Sequence, residues 1–117
     1  MSDNITIYHN PRCSKSRATL ELLKTSGRDP QLVEYLKEPP TAETLGDILD
    51  LLGMEPRDLM RKKEKEYREA GLDNPDLGRK ELIAAMVEHP RLIERPIVIA
   101  NGKAAIGRPP EKVLEIL

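Results

Sequence analysis

Asn101-Gly102, set between Ile97-Val98-Ile99 and the run Lys103 to Ile106, leaves the C-terminal end of this chain little choice. The dipeptide accepts positive φ at both central positions of a type I′ turn, whose twist matches that of two antiparallel strands. A buried strand and its return partner are therefore predicted over 97–106. The N-terminal third demands a different pairing. Ile5 to Tyr8 is apolar and β-rich, and it ends on the turn signal His9-Asn10-Pro11. A helix should begin at Cys13 or Ser14, carry Leu20, Leu22 and Leu23, and stop at Gly27. Asp29-Pro30 breaks the chain, and Leu32 to Leu36 reads as a second strand, ended by Glu38-Pro39-Pro40. Strand, helix and strand within about 35 residues is the size of a right-handed βαβ unit, which pairs its strands in parallel.

The middle of the chain has helical periodicity. Thr41 is placed to N-cap a helix whose Leu45, Ile48, Leu49 and Leu52 fall at i, i+3, i+4 and i+7, with Gly53 as its stop. Pro56 suits the first turn of a short helix holding Leu59 and Met60. Residues 61–70 are charged and weakly helical, and Asn74-Pro75 is a turn. Lys80 to Glu88 reads as a helix with Leu82, Ile83, Met86 and Val87 on one side, stopped by Pro90. Pro109-Pro110 opens a last helix with Val113, Leu114, Ile116 and Leu117. The order is β-α-β, helices, then β-β-α. It predicts an α/β fold with a mixed four-stranded sheet and flanking helices. This is the thioredoxin-like arrangement, with a helical insertion at about 41–90 between the βαβ and ββα halves. A length of 117 residues fits one such domain, 1–117.

Charge and composition narrow the function. Nineteen basic against twenty acidic residues give a net charge of −1, which argues against a general nucleic-acid binder. Phe and Trp are absent and Tyr numbers three, so base-stacking platforms are not expected either. No apolar run approaches the roughly 20 residues that span a bilayer. Met1-Ser2-Asp3-Asn4-Ile5 has neither the basic nor the apolar region of a secretory signal. Cys13 is the single cysteine, so an intramolecular disulfide and a multi-cysteine zinc site are both impossible. A lone thiol without an export signal fits the reducing cytoplasm.

A lone cysteine is most often inert core packing, but the neighbourhood of Cys13 points elsewhere. It follows a predicted strand and turn and sits at the start of a helix. Unpaired backbone N–H groups there stabilise a thiolate and cradle an oxyanion. His9, Arg12, Lys15 and Arg17 lie within four positions and add positive potential. Cys13-Ser14-Lys15-Ser16 has the spacing of a redox Cys-x-x-Cys helix with serine at the second position. Such a thiol attacks electrophiles without a local resolving thiol. A phosphatase loop is excluded, because its Arg six positions after the Cys is here Thr19. His9 has two readings, a turn residue held by a hydrogen bond or a group that tunes the thiol. Cys13, His9 and His89 have no metal-ligand spacing, so no metal is expected.

Three arginines stand out. Arg61 opens an Arg-Lys-Lys run, Arg95 precedes Pro96 and a buried strand, and Arg108 precedes Pro109-Pro110. The last two lie where strands meet turns, at places a thioredoxin-like sheet brings near the Cys13 loop. That fold commonly sets a cis proline opposite its active-site cysteine. Planar, always-charged guanidiniums suit tetrahedral oxyanions, which accept bidentate donors. Each arginine alone reads as a surface residue; with a helix-terminal cysteine they suggest an oxyanion pocket.

Tyr8-His9-Asn10-Pro11-Arg12-Cys13-Ser14-Lys15-Ser16-Arg17 resembles the active-site segment of the glutaredoxin-dependent arsenate reductase (ArsC) family. The resemblance continues through Tyr35-Leu36-Lys37-Glu38-Pro39-Pro40-Thr41, Leu59-Met60-Arg61-Lys62 and Glu94-Arg95-Pro96-Ile97-Val98, and closes with Gly107-Arg108-Pro109-Pro110-Glu111. Collinear blocks thus cover nearly the whole chain. The resemblance implies a thioredoxin-like fold, Cys13 as nucleophile and His9 as the neighbour that tunes it. It implies Arg61, Arg95 and Arg108 as ligands of arsenate or a related oxyanion. Glutathione is then the co-substrate and glutaredoxin the partner, with no bound cofactor, metal, nucleic acid or membrane. Ser14-Lys15 replaces the Gly-Thr of plasmid-borne members, which also continue beyond the last helix; the shorter form is similar to chromosomal ArsC-like proteins. Two alternatives remain open on sequence. One is a regulator similar to the Spx family, which shares the fold and binds RNA polymerase; Ser16 would deny it a disulfide switch. The other is a monothiol oxidoreductase acting on another substrate.

Overall fold

The structure, a computed structural model, describes residues 5–117. Two compact units divide them. One takes in the chain up to Glu38 together with Arg95–Leu117; the other is Pro39–Glu94.

The first unit holds a mixed sheet of β1 (Thr6–Tyr8), β2 (Gln31–Val33), β3 (Ile97–Ala100) and β4 (Lys103–Ile106), in the order β2-β1-β3-β4. β2 runs parallel to β1, with Tyr8 opposite Val33. β3 runs antiparallel to both β1 and β4, with Tyr8 opposite Ile97 and Ala100 opposite Lys103. Asn101 and Gly102 have φ of 54° and 71°, as a type I′ hairpin requires. Alternation along the strands sends Ile5, Ile7, Val98 and Ala100 into one core with Leu23 of helix α1 (Ser14–Thr25) and with Val113 and Ile116. That arrangement is the thioredoxin-like fold expected from the order of elements. Both Arg95–Pro96 and Arg108–Pro109 are cis.

Two elements differ from expectation. β2 ends at Val33 instead of reaching Leu36. Its partner β1 stops at Tyr8, and the His9 N–H closes the ladder on the Val33 carbonyl at 2.9 Å. With no further partner the chain turns, and the amides of Lys37 and Glu38 both donate to the Glu34 carbonyl at 2.9 Å. The last helix, Pro110–Ile116, is a 3-10 helix. Side chains three apart eclipse in that geometry, so Val113 and Ile116 share the buried face and Leu114 is left 44% exposed.

The second unit is helical: α2 (Ala42–Leu52), a 3-10 turn Pro56–Leu59, α3 (Lys65–Glu69), α4 (Arg79–Glu88) and a 3-10 turn Pro90–Leu92. Thr41 caps α2 by accepting from the Thr44 N–H at 3.1 Å, and Gly53 ends it at φ 66°. Leu45, Ile48 and Leu49 of α2 and Leu82, Ile83 and Met86 of α4 are buried. Met60 and Ile93 form an isolated antiparallel bridge flanked by Arg61 N–H to Leu92 O at 2.7 Å and Glu94 N–H to Leu59 O at 2.8 Å. No helix among the described residues is long and apolar enough to cross a membrane.

Candidate active site

Cys13 is the N-cap of α1, with an extended backbone at φ −95° and ψ 124°. Its carbonyl already accepts the Arg17 N–H at 3.0 Å, the first bond of the helix, and its own N–H donates to Asn10 O at 3.0 Å. The thiol therefore stands where a capping oxygen would be, at the positive end of the helix dipole. It makes no capping bond, and no acidic residue lies in the first turn. The site is half-buried, open enough for a small reactant.

A set of local bonds shapes the loop before it. The Asn10 side-chain oxygen accepts the Arg12 N–H at 3.0 Å, an Asx turn, and Arg17 donates to Pro11 O at 3.1 Å. Ser16 ties this loop to the helix. Its hydroxyl oxygen accepts the Asn10 N–H at 3.0 Å and lies 2.6 Å from His9 Nδ1. Ser16 is fully buried, as is Thr19. A hydroxyl has one proton and two lone pairs, so this geometry is satisfied when Ser16 donates to the bare Nδ1 of a neutral His9. Burial lowers the His9 pKa below 6.5; Glu34 opposes that shift, and Lys24 and Arg17 reinforce it. Neutral imidazole and a Ser16 donor are thus consistent with each other.

Arg108 comes to Cys13 from the far end of the sheet. Its Nη2 lies 3.8 Å from Cys13 Sγ, and its Nε donates to the Arg95 carbonyl at 2.8 Å. That second bond holds the planar guanidinium beside the thiol. Gly107 makes the approach possible. A Cβ there would meet Thr19 Oγ1 of α1 and stand 2.8 Å from Pro96 Cγ. The Gly107 N–H also donates to Pro96 O at 2.9 Å. Only glycine lets the end of β4 run this close to α1 and to the cis proline.

Of the five residues singled out from sequence, the structure brings Cys13, Arg108 and the backbone of Arg95 together. His9 reaches Ser16 by its ring. Arg61 belongs to the second unit, where its guanidinium pairs with Glu64 at 2.9 Å and Glu94 at 3.8 Å. Sequence reasoning passed over Ser16, treated only as a missing thiol, and over Asn10, Thr19 and Gly107. A signal for two of them was present. Ser16, Thr19, Leu20 and Leu23 fall at i, i+3, i+4 and i+7, the stripe that α1 turns inward. A hydroxyl on such a stripe needs a partner. Among the described residues no group of three or more His, Cys, Asp or Glu is placed to hold a metal.

Residues 8–116 match the ArsC family. The uncharacterized protein YfgD of Escherichia coli K12 is 58% identical over 118 residues, covering 100% of this chain and 99% of that one. An arsenate reductase of Neisseria meningitidis serogroup B is 52% identical over 114 residues, 97% of each chain. The solved structure of an arsenate reductase from Vibrio cholerae superposes with a TM-score of 0.97 at 52% identity, each chain covered in full.

Proposed function

The chain belongs to the ArsC family, and from that membership we propose that it reduces arsenate to arsenite, with the Cys13 thiolate as nucleophile. The observation that carries this reading is the Arg108 guanidinium 3.8 Å from a thiol at a helix N-terminus. A nucleophile and an anion site then share one place, as attack on an oxyanion requires.

The steps follow from the chemistry of the groups. Cys13 sulfur forms a bond to arsenic as one arsenate oxygen leaves as water, the arsenic remaining As(V). A glutathione thiol condenses at the same arsenic with loss of a second water. A glutaredoxin thiolate then attacks the glutathione sulfur. The sulfur–arsenic bonding pair stays on arsenic, which becomes As(III), and the glutathione leaves as a mixed disulfide with glutaredoxin. Water releases arsenite from Cys13 and restores the thiol. External thiols are needed because Ser16, with no thiol and no exposure, cannot resolve the adduct. Arg108 and the first amides of α1 neutralise the anion on attack, and the Arg95 carbonyl holds Arg108 in place. For Arg61 the role rests on the resemblance of Leu59-Met60-Arg61-Lys62, and an anion would compete there with Glu64 and Glu94.

The test is an assay of the purified protein with arsenate, glutathione, glutaredoxin and NADPH-coupled glutathione reductase. Arsenate-dependent NADPH oxidation is expected, lost in Cys13→Ser with the fold intact, and not supported by thioredoxin and its reductase alone. Absence of arsenate-dependent oxidation, or its persistence in Cys13→Ser, would overturn the reading.

A further inference from the structure

A concavity of about 230 Å³ opens beside the loop that precedes Cys13. Arg12, the residue before Cys13, lines it with Glu34, Lys37, Leu36 and His9. The volume is below the roughly 300 Å³ at which whole-ligand pockets begin, so it suits one end of a ligand. Its charges are mixed in a particular way. Among the described residues the Arg12 side chain has no bonded or ion-pair partner. Lys37 Nζ lies 3.9 Å from a Glu34 oxygen, a loose pair with side chains 79% and 45% exposed. The turn closed on the Glu34 carbonyl by the Lys37 and Glu38 amides holds that carboxylate and that ammonium side by side. Leu36 supplies an apolar wall, 40% exposed.

We infer that this concavity binds a free α-amino-carboxylate group, the γ-glutamyl end of glutathione, and so places the co-substrate thiol toward Cys13. A carboxylate answers Arg12 and Lys37, and an ammonium answers Glu34. In an ordinary peptide the N-terminal residue keeps its amino group but not its α-carboxylate. The γ-linkage of glutathione leaves both free on one carbon, which is the pairing of charges found here. The methylenes of that residue lie against Leu36. The inference rests on the proposed function for its use of glutathione as co-substrate, but the site is testable without arsenate.

The experiment follows thiol–disulfide exchange at Cys13 by mass spectrometry. Cys13 thiolate attacks one sulfur of an added disulfide, the mixed disulfide forms, and one thiolate leaves. Glutathione disulfide and γ-glutamylcysteine disulfide are expected to react several-fold faster than cysteinylglycine disulfide, which lacks the γ-glutamyl end. The ratio is expected to fall toward one in Lys37→Ala and in Glu34→Gln. Glu34→Gln separates a site from general attraction. Removing a negative charge near the thiol speeds an anionic disulfide if only the overall field matters, and slows it if Glu34 holds the ammonium. Equal rates for the three disulfides in the wild-type protein, or a faster glutathione reaction in Glu34→Gln, would overturn the inference. A retained preference without arsenate turnover would instead leave the site standing and remove the proposed function.

Discussion

The guanidinium of Arg108 and the thiol of Cys13 lie 3.8 Å apart across 95 positions of sequence. The Arg95 carbonyl holds the same guanidinium from its other side. A charge-assisted bond to an oxyanion contributes on the order of 1.5–3 kcal/mol, roughly 10- to 150-fold. Arg108→Ala should lower kcat/KM for arsenate within that range. Arg108→Lys should restore only part, because an ammonium cannot serve the Arg95 carbonyl and the anion with one planar fork. Near-native kinetics in both variants would show Arg108 to be a bystander.

Gly107 should tolerate no side chain. In Gly107→Ala the added carbon meets Thr19 Oγ1 and stands 2.8 Å from Pro96 Cγ. Overpacking of this kind costs about 1–3 kcal/mol. Urea unfolding should show a lower midpoint at unchanged slope. Cys13-dependent turnover should fall further than stability alone explains, since Arg108 is the next residue. An unshifted midpoint would contradict the close packing.

Stability should fall on mild acidification, through His9. Its pKa in the folded protein is lowered from 6.5 by burial, so the unfolded chain takes up a proton at a higher pH than the folded one. The contribution is complete above 6.5 and is lost as pH falls from there through the lower folded value. Comparing unfolding midpoints at pH 7.5 and 5.5 should show a smaller drop in His9→Gln than in the wild type. Equal drops would mean that His9 does not titrate on unfolding.

Thr41 should contribute as a cap. Its hydroxyl oxygen accepts the Thr44 N–H at 3.1 Å, and losing such a bond typically costs about 1 kcal/mol. Thr41→Ala should lower the Tm by a few degrees, and Thr41→Ser should recover most of the loss. Identical melting of Thr41→Ala and wild type would remove the cap from the account of α2.

The elements that sequence alone determined are those whose causes are local. Thr41 and Gly53 bound α2 because a cap and a left-handed residue act within one turn of the helix they end. Asn101-Gly102 made its hairpin because both positive φ values belong to the two residues themselves. Cys13 at the head of α1 was legible for the same reason. Tertiary structure decided the rest. β2 ends at Val33 because β1 offers no residue beyond Tyr8 to pair with. The last helix tightened to a 3-10 form in which Val113 and Ile116 are both buried. Ser16 meets His9 and Asn10 within the turn from β1 to α1, but Arg108 reached Cys13 only once β3 and β4 had joined the β1–α1 unit. That last contact depends on the register of strands far apart in the chain and on the clearance left by Gly107, quantities that no local window of sequence contains.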